Sequence, residues 1–309
     1  YSSGNAVELY FDGTWVRWRG HPTTFYPDRG PGYETIPQGR LYTISFFDST
    51  AGDEGSGFDL DRVRDIEIQR LGGQLAAVIA AVRSVNAAAS VDVVSHSMGG
   101  LVSRSLVEGL SSGASSLEAF VPGSVRQVVT LDTPHSGFPK ILLDLALGAL
   151  EGVFSTTFPF MPSYAPCFAP SSVQKWQMQD WPLSGFLATL NDNDIPSQVP
   201  LTALATTGAV SKFLGVSSDG VVSTSSQNIK TIDRYRCAPN VITIPKTVPG
   251  LLAHSRILGL MDTALIVDSA VSALRIDAEG GGCRACSPSS AVTLALPGLA
   301  QAAPGARTL

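Results

Sequence analysis

The sequence predicts an α/β fold: a mostly parallel central sheet with helices on both faces. Three observations carry the prediction. Val91, Val93 and Val94 form a β-branched run of the kind found in central parallel strands, and it breaks at Ser95-His96-Ser97-Met98-Gly99-Gly100 into an apolar helical stretch through Leu110. Val63, Ile66, Leu71, Leu75, Val78, Ile79, Val82 and Val85 recur near helical spacing before it. Val125 to Leu131 is a further β-branched run after it, which completes a strand–helix–strand–helix–strand order.

The elements follow in order. Val7 to Phe11 reads as a strand ending in Asp12-Gly13-Thr14-Trp15. Gly20 to Gly39 is rich in proline and glycine and reads as one long loop. Leu41 to Phe47 is the next strand, and Asp48 to Gly57 a polar loop. The long amphipathic helix is expected over Asp61–Val85. At the serine turn, Gly99 stands where a side chain would collide with the bend, and Gly100 lets the helix approach the sheet closely. The stretch 138–200 holds Phe154, Phe158, Phe160, Trp176, Trp181 and Phe186 among several prolines, and predicts a helical cap insertion over the serine or extra core helices. Leu201 to Thr207 and Val241 to Ile244 resume the sheet, and Ser255 to Leu274 is a terminal amphipathic helix. The expected domain is 1–279, followed by a Gly/Ala/Pro/Ser-rich tail over 280–309 that reads as a linker or the start of a further module.

Composition narrows the classes. A chain of 309 residues can bury a full core, and 44% hydrophobic against 15% charged residues argues against disorder. The net charge of −5 without a basic run excludes electrostatic binding to nucleic acid or anionic membranes. No apolar run reaches the about 18 residues that span a bilayer. The chain opens at Tyr1 and reads as a mature or trimmed form. Its four cysteines suggest an extracellular protein with disulfides Cys167–Cys237 and Cys283–Cys286; four free thiols in a reducing compartment is the alternative.

The chemistry centres on Ser97. A serine on a tight strand-to-helix turn projects its hydroxyl above the sheet, with a helix N-terminus pointing at it. The hydroxyl needs an imidazole to take its proton and a carboxylate to orient that imidazole. Of four histidines, His21 precedes the serine, His96 adjoins it and points away, and His135 lies in a segment just after a strand. His254 lies past the last strand and before the last helix, the position a general base needs. Asp219, before Gly220, is the expected acid; Asp132, at the end of the preceding strand, is its rival. Asp192 and Asp194 read as a solvated turn, or a cation site. The oxyanion donors are expected to be the backbone N–H groups of Met98 and of Thr14, with Trp15 as the alternative to Thr14.

Ser-His-Ser-Met-Gly-Gly-Leu-Val, Leu-Asp-Thr-Pro-His-Ser-Gly, Ser-Asp-Gly-Val-Val-Ser and Ala-His-Ser together resemble the α/β-hydrolase superfamily, and within it the secreted lipases and esterases, over residues 7–275. The resemblance implies an α/β-hydrolase fold, a triad of Ser97, Asp219 and His254, a structural role for His135, and no organic cofactor. It departs from the usual pattern twice. Ser95 stands where Gly-x-Ser-x-Gly has its first glycine, and Asp12-Gly13 where relatives carry His-Gly, which leaves the second oxyanion donor open. Some relatives bind a structural calcium, but no ligand set here predicts a metal. The expected function is hydrolysis of hydrophobic small-molecule or polymeric esters by a secreted monomer that contacts lipid interfaces through its cap. Phospholipid or amide hydrolysis, acyl transfer, and a catalytically dead binding module are the alternatives.

Overall fold

Strands Val125–Leu131 (β6) and Leu201–Thr207 (β7) are buried along almost their whole length, which a strand achieves only when both faces of its sheet are covered. They form the middle of a four-stranded parallel sheet in the computed structural model, ordered β5-β6-β7-β8, with Val91–His96 (β5) and Val241–Thr247 (β8) outside them. The structure describes residues 6–11, 16–18, 24–25, 36–45, 66–110, 121–138, 173–180, 183–208, 217–219 and 222–248. All fall within one unit, Tyr1–Glu279. The expected terminal helix 255–274, the tail 280–309 and the Cys283–Cys286 pair lie outside them.

Among the described residues β5 pairs with β6, and one of its faces is only partly covered: Val94 is 48% exposed, and Asp92 pairs with Arg126. β-branched residues suit a half-covered pleat as well as a covered one, so composition alone did not separate the two.

A second sheet has the order β3-β2-β1-β4. Ala6–Phe11 (β1) runs parallel to Leu41–Ser45 (β4), while Val16–Trp18 (β2) pairs antiparallel with β1 and with Thr24–Phe25 (β3). Phe11 faces Val16 in the register, so only the four residues 12–15 join the two strands. The expected long loop from Gly20 thus contains a strand. β3 is two residues long, too short to impress a period on proline- and glycine-rich sequence.

The long helix (α1) covers Ile68–Asn86; of the expected span Asp61–Val85, residues 61–65 lie outside the described residues. Glu67 is extended, and Ile66 is buried without being helical. Helix Val173–Gln177 (α3) holds that entry: Gln174 Nε2 donates to Ile66 O at 2.9 Å, and Ile68 N–H donates to Gln177 Oε1 at 2.7 Å. Burial by packing imitated helical spacing there. α1 packs on helix Met98–Val107 (α2), and Gly72 gives the close approach: a methyl there would lie 3.1 Å from Ser105 Oγ.

The part of the 138–200 insertion that is described, including helix Gly185–Asp192 (α4), joins the main core. Phe186, Leu187, Leu190, Ile195 and Val199 are buried in one cluster with Leu101, Leu106, Val128 and Leu201. Only Trp176 and Leu183 stay exposed among the large apolar side chains of this part. Farther on lie helix Thr224–Gln227 (α5) and 3-10 turns at Ile229–Thr231 and Asp233–Tyr235. Cys237 is disulfide-bonded, and the expected partner Cys167 lies outside the described residues. No helix among the described residues is long and apolar enough to cross a membrane.

One charged network lies wholly inside this core. Arg104 on α2 is fully buried, as is its partner Glu108, with Nε to Oε1 at 2.8 Å. Its remaining donors reach Asn191 Oδ1 at 3.1 Å, Leu190 O at 3.2 Å and Tyr235 Oη at 3.0 Å. Burial pushes the Glu108 carboxyl up to about 7 against the pull of Arg104. A buried pair of this kind costs most when half of it is removed. Arg104→Met and Glu108→Leu alone should each lower the unfolding free energy by about 3–5 kcal/mol, and the double substitution by less than their sum. Urea denaturation of the three variants measures this; strictly additive losses would contradict it.

Candidate active site

Ser97 ends β5 and caps α2. Its backbone is at φ 54°, ψ −129°, a conformation that non-glycine residues avoid. Such strain costs about 1–3 kcal/mol and persists only where the surroundings enforce it. Two backbone bonds do so: Ser97 N–H donates to Leu131 O at 2.9 Å, and Gly100 N–H donates to Ser97 O at 3.0 Å. Although Ser97 is the N-cap residue, its hydroxyl makes no capping bond, so the oxygen is left for other chemistry. Met98, the first residue of α2, is buried, and the first-turn N–H groups of a helix have no intrahelical partner. Its N–H directly follows Ser97 at the helix N-terminus.

The crowded glycine of the turn is Gly100, not Gly99. A methyl on Gly100 would lie 2.0 Å from Thr133 Oγ1 and 2.6 Å from Thr133 Cγ2. One on Gly99 would meet, among the described residues, Ser95 Cβ at 3.7 Å, an ordinary contact. The tight approach is thus between α2 and the segment following β6, rather than within the bend itself.

Both candidate acids sit at the carboxyl ends of sheet strands. Asp132 follows β6, is fully buried, and has φ 50°; its N–H donates to Leu204 O at 3.0 Å. Asp219 is also fully buried, on a segment folded back over the end of β7. Gly208 N–H donates to Ser218 O, Thr224 N–H to Ser217 O, and Ser218 bridges Ser223. Asp219 Oδ1 accepts the Val222 N–H at 2.7 Å, and Val222 O accepts the Asp219 N–H at 3.2 Å, so a two-point clasp orients the residue. Ser97, Asp132 and Asp219 therefore stand after three adjacent parallel strands, whose spacing is about 4.8 Å. β8, the next strand, ends at Thr247, seven residues before His254. Open α/β sheets bind ligands at this edge. His254, Thr14, Trp15 and Asp12 lie outside the described residues.

His135 is packed rather than poised. It is fully buried, and its Nε2 lies 3.0 Å from Thr130 Oγ1. Burial, with a smaller contribution from the Arg104 charge, holds its pKa well below 6.5, so the ring is neutral at pH 7. Asp194 forms a bidentate pair with Arg234 at 2.8 and 2.9 Å, and Asp192 closes α4. Among the described residues no His/Cys/Asp/Glu group is arranged to hold a metal ion. Two features had not been read from the sequence: the Arg104 network and a hydroxyl pair between Ser95 and Ser103. The first had a signal, an Arg/Glu pair four residues apart on an otherwise apolar helix.

Two outcomes follow from this geometry. Gly100→Ala gains about 1 kcal/mol of helix propensity but meets Thr133 at bonding distance, so it should lower stability by about 1–3 kcal/mol, whereas Gly99→Ala should be neutral or stabilising. Urea midpoints decide it, and a stable Gly100→Ala would contradict it. For His135 the folded pKa lies below the unfolded one, so its contribution is complete above pH 6.5 and is lost as pH falls through the folded value. Wild type should lose more stability between pH 7 and pH 5 than His135→Gln, compared by urea midpoints; equal pH slopes would contradict it.

A family model described as a PGAP1-like alpha/beta domain matches residues 67–151, the span that contains α1, β5, the serine turn, α2 and β6. No curated protein matches the sequence. Among solved structures, the chain is similar to a gene product of Listeria innocua at 13% identity and TM-score 0.48, over 89% of this chain and 84% of that one. It is similar to a Bacillus licheniformis lipase in mature form at 18% identity and TM-score 0.44, over 68% and 75%. A lipase of Pelosinus fermentans aligns at 16% identity and TM-score 0.43, over 62% and 72%. With a parallel sheet flanked by helices, and a strained serine turn inside the matched segment, the chain has the arrangement of an α/β-hydrolase fold.

Proposed function

We propose that this chain is a serine carboxylic-ester hydrolase of the lipase or esterase type, cleaving hydrophobic esters through an acyl-enzyme. The observation that carries this reading is the φ 54° backbone of Ser97 at a parallel strand-to-helix junction, with its hydroxyl uncommitted to the helix cap. Strain of that kind is retained where it aims a side chain. In the proposed cycle His254 takes the proton of Ser97 as Oγ attacks the ester carbonyl. The N–H groups of Met98 and Thr14 hold the oxyanion, and His254 returns the proton to the departing alkoxide. Water, activated by the same imidazole, then releases the acid. Asp219 fixes the imidazole tautomer and balances the imidazolium. The scheme uses no cofactor.

The apolar content of 138–200 supports hydrophobic esters as the substrate class, with Trp176 and Leu183 exposed for contact with a lipid interface. The disulfide at Cys237 supports an oxidising, extracellular compartment. The chain is proposed to act as a monomer.

A second acid assignment has its own observation. Asp132 is fully buried at φ 50° on the strand beside that of the serine. Turnover of p-nitrophenyl esters of graded acyl length separates the two. Ser97→Ala should abolish turnover, and Asp219→Asn should lower kcat by about 10⁴-fold, while Asp132→Asn retains most of it. The reverse order of the two Asn variants moves the acid to Asp132. Undiminished turnover by Ser97→Ala would contradict the hydrolase reading.

A further inference from the structure

Ser95 stands where a nucleophile turn of the Gly-x-Ser-x-Gly type has glycine, and its hydroxyl is engaged. Ser103 Oγ, on α2, donates to Ser95 Oγ at 3.1 Å and lies 3.0 Å from Gly99 O. Ser95 Oγ in turn lies 3.4 Å from Val129 O on β6. Ser103 is only 2% exposed and Ser95 is half-buried, so these contacts are partly shielded from water. Two hydroxyl protons serve three acceptor contacts, and they can run as a relay in either direction: Ser103 to Ser95 to Val129 O, or Ser95 to Ser103 to Gly99 O. In both arrangements a residue two positions before Ser97 is tied to one six positions after it.

We propose that the Ser95–Ser103 hydroxyl pair is a positioning device for the nucleophile. It fixes the angle between β5 and α2, and with it the placement of the Ser97 hydroxyl relative to the Met98 N–H. The inference rests on the hydrolase reading of Ser97. Neither serine touches the reacting atoms; they act through the backbone on both sides of the turn. The strained residue has its own two backbone bonds, to Leu131 O and from Gly100 N–H, but those constrain Ser97 locally and not the angle between the elements. A glycine at 95 would leave Ser103 bonded to Gly99 O alone, a contact within α2 that holds nothing across the turn.

The test compares the full-length wild type with Ser95→Ala, Ser103→Ala, the double variant and Ser97→Ala. The readouts are the rate of covalent labelling by a fluorophosphonate, kcat and KM on a p-nitrophenyl ester, all taken well below each variant's melting temperature. Each single alanine should slow labelling and lower kcat about tenfold with KM unchanged, since small misplacements of a nucleophile act on the chemical step. The double variant should fall no further than either single one, because both remove the same link. Wild-type kcat and labelling in both single variants, with only the melting temperature lowered, would overturn the positioning role and leave the hydrolase reading standing. Absence of labelling in wild type, as in Ser97→Ala, would overturn the hydrolase reading itself and the positioning role with it.

Discussion

The backbone of Ser97 is the constraint on which the rest of the site depends. At φ 54° the residue is held by one bond from its N–H to the neighbouring strand and one to its carbonyl from the helix it starts. An ordinary β-to-α transition would let the serine cap the helix with its own hydroxyl. Here the cap bond is missing, and the hydroxyl is not committed to the helix N-terminus. The strain of about 1–3 kcal/mol is small beside the burial that enforces it: Leu101, Val102 and Leu106 of α2 are essentially inaccessible to solvent.

The same helix ties the serine turn to the rest of the core. α2 lies under the serine at one end and carries Arg104 and Glu108 toward the other. Arg104 binds Leu190 O and Asn191 at the end of α4 and Tyr235 in the last 3-10 turn, and Tyr235 Oη also donates to Asn193 O at 2.6 Å. One buried cation thereby joins α2 to segments before β7 and before β8. Those strands carry the Asp219 turn and lead toward His254. A buried ion pair is a poor source of net stability but a strong specifier of arrangement once each donor has its acceptor.

Much of this was legible in the residues. The valines of β5 followed by Ser-His-Ser-Met-Gly-Gly announced a strand, a sharp turn and a helix, because β-branched residues and paired glycines have few other uses in that order. Asp219 was singled out by chain order and the glycine after it, and it lies on a segment that Ser218 joins to Gly208, just past β7. Other features left no local trace. Ile66 has the spacing of a helical residue yet sits before the helix, because Gln174 and Gln177, about a hundred residues away, hold that entry extended. Gly99 and Gly100 look alike in sequence, and only the proximity of Thr133 makes one of them necessary.

The most direct measurement is a crystal structure of the protein after reaction with a p-nitrophenyl alkylphosphonate, which freezes the tetrahedral geometry. Phosphorus bonded to Ser97 Oγ, a phosphoryl oxygen within about 3 Å of the Met98 N–H, and His254 Nε2 within about 3 Å of Oγ or the leaving-group position is the expected result. Phosphorus on another residue, or an adduct at Ser97 with His254 remote from it, would contradict the central claim.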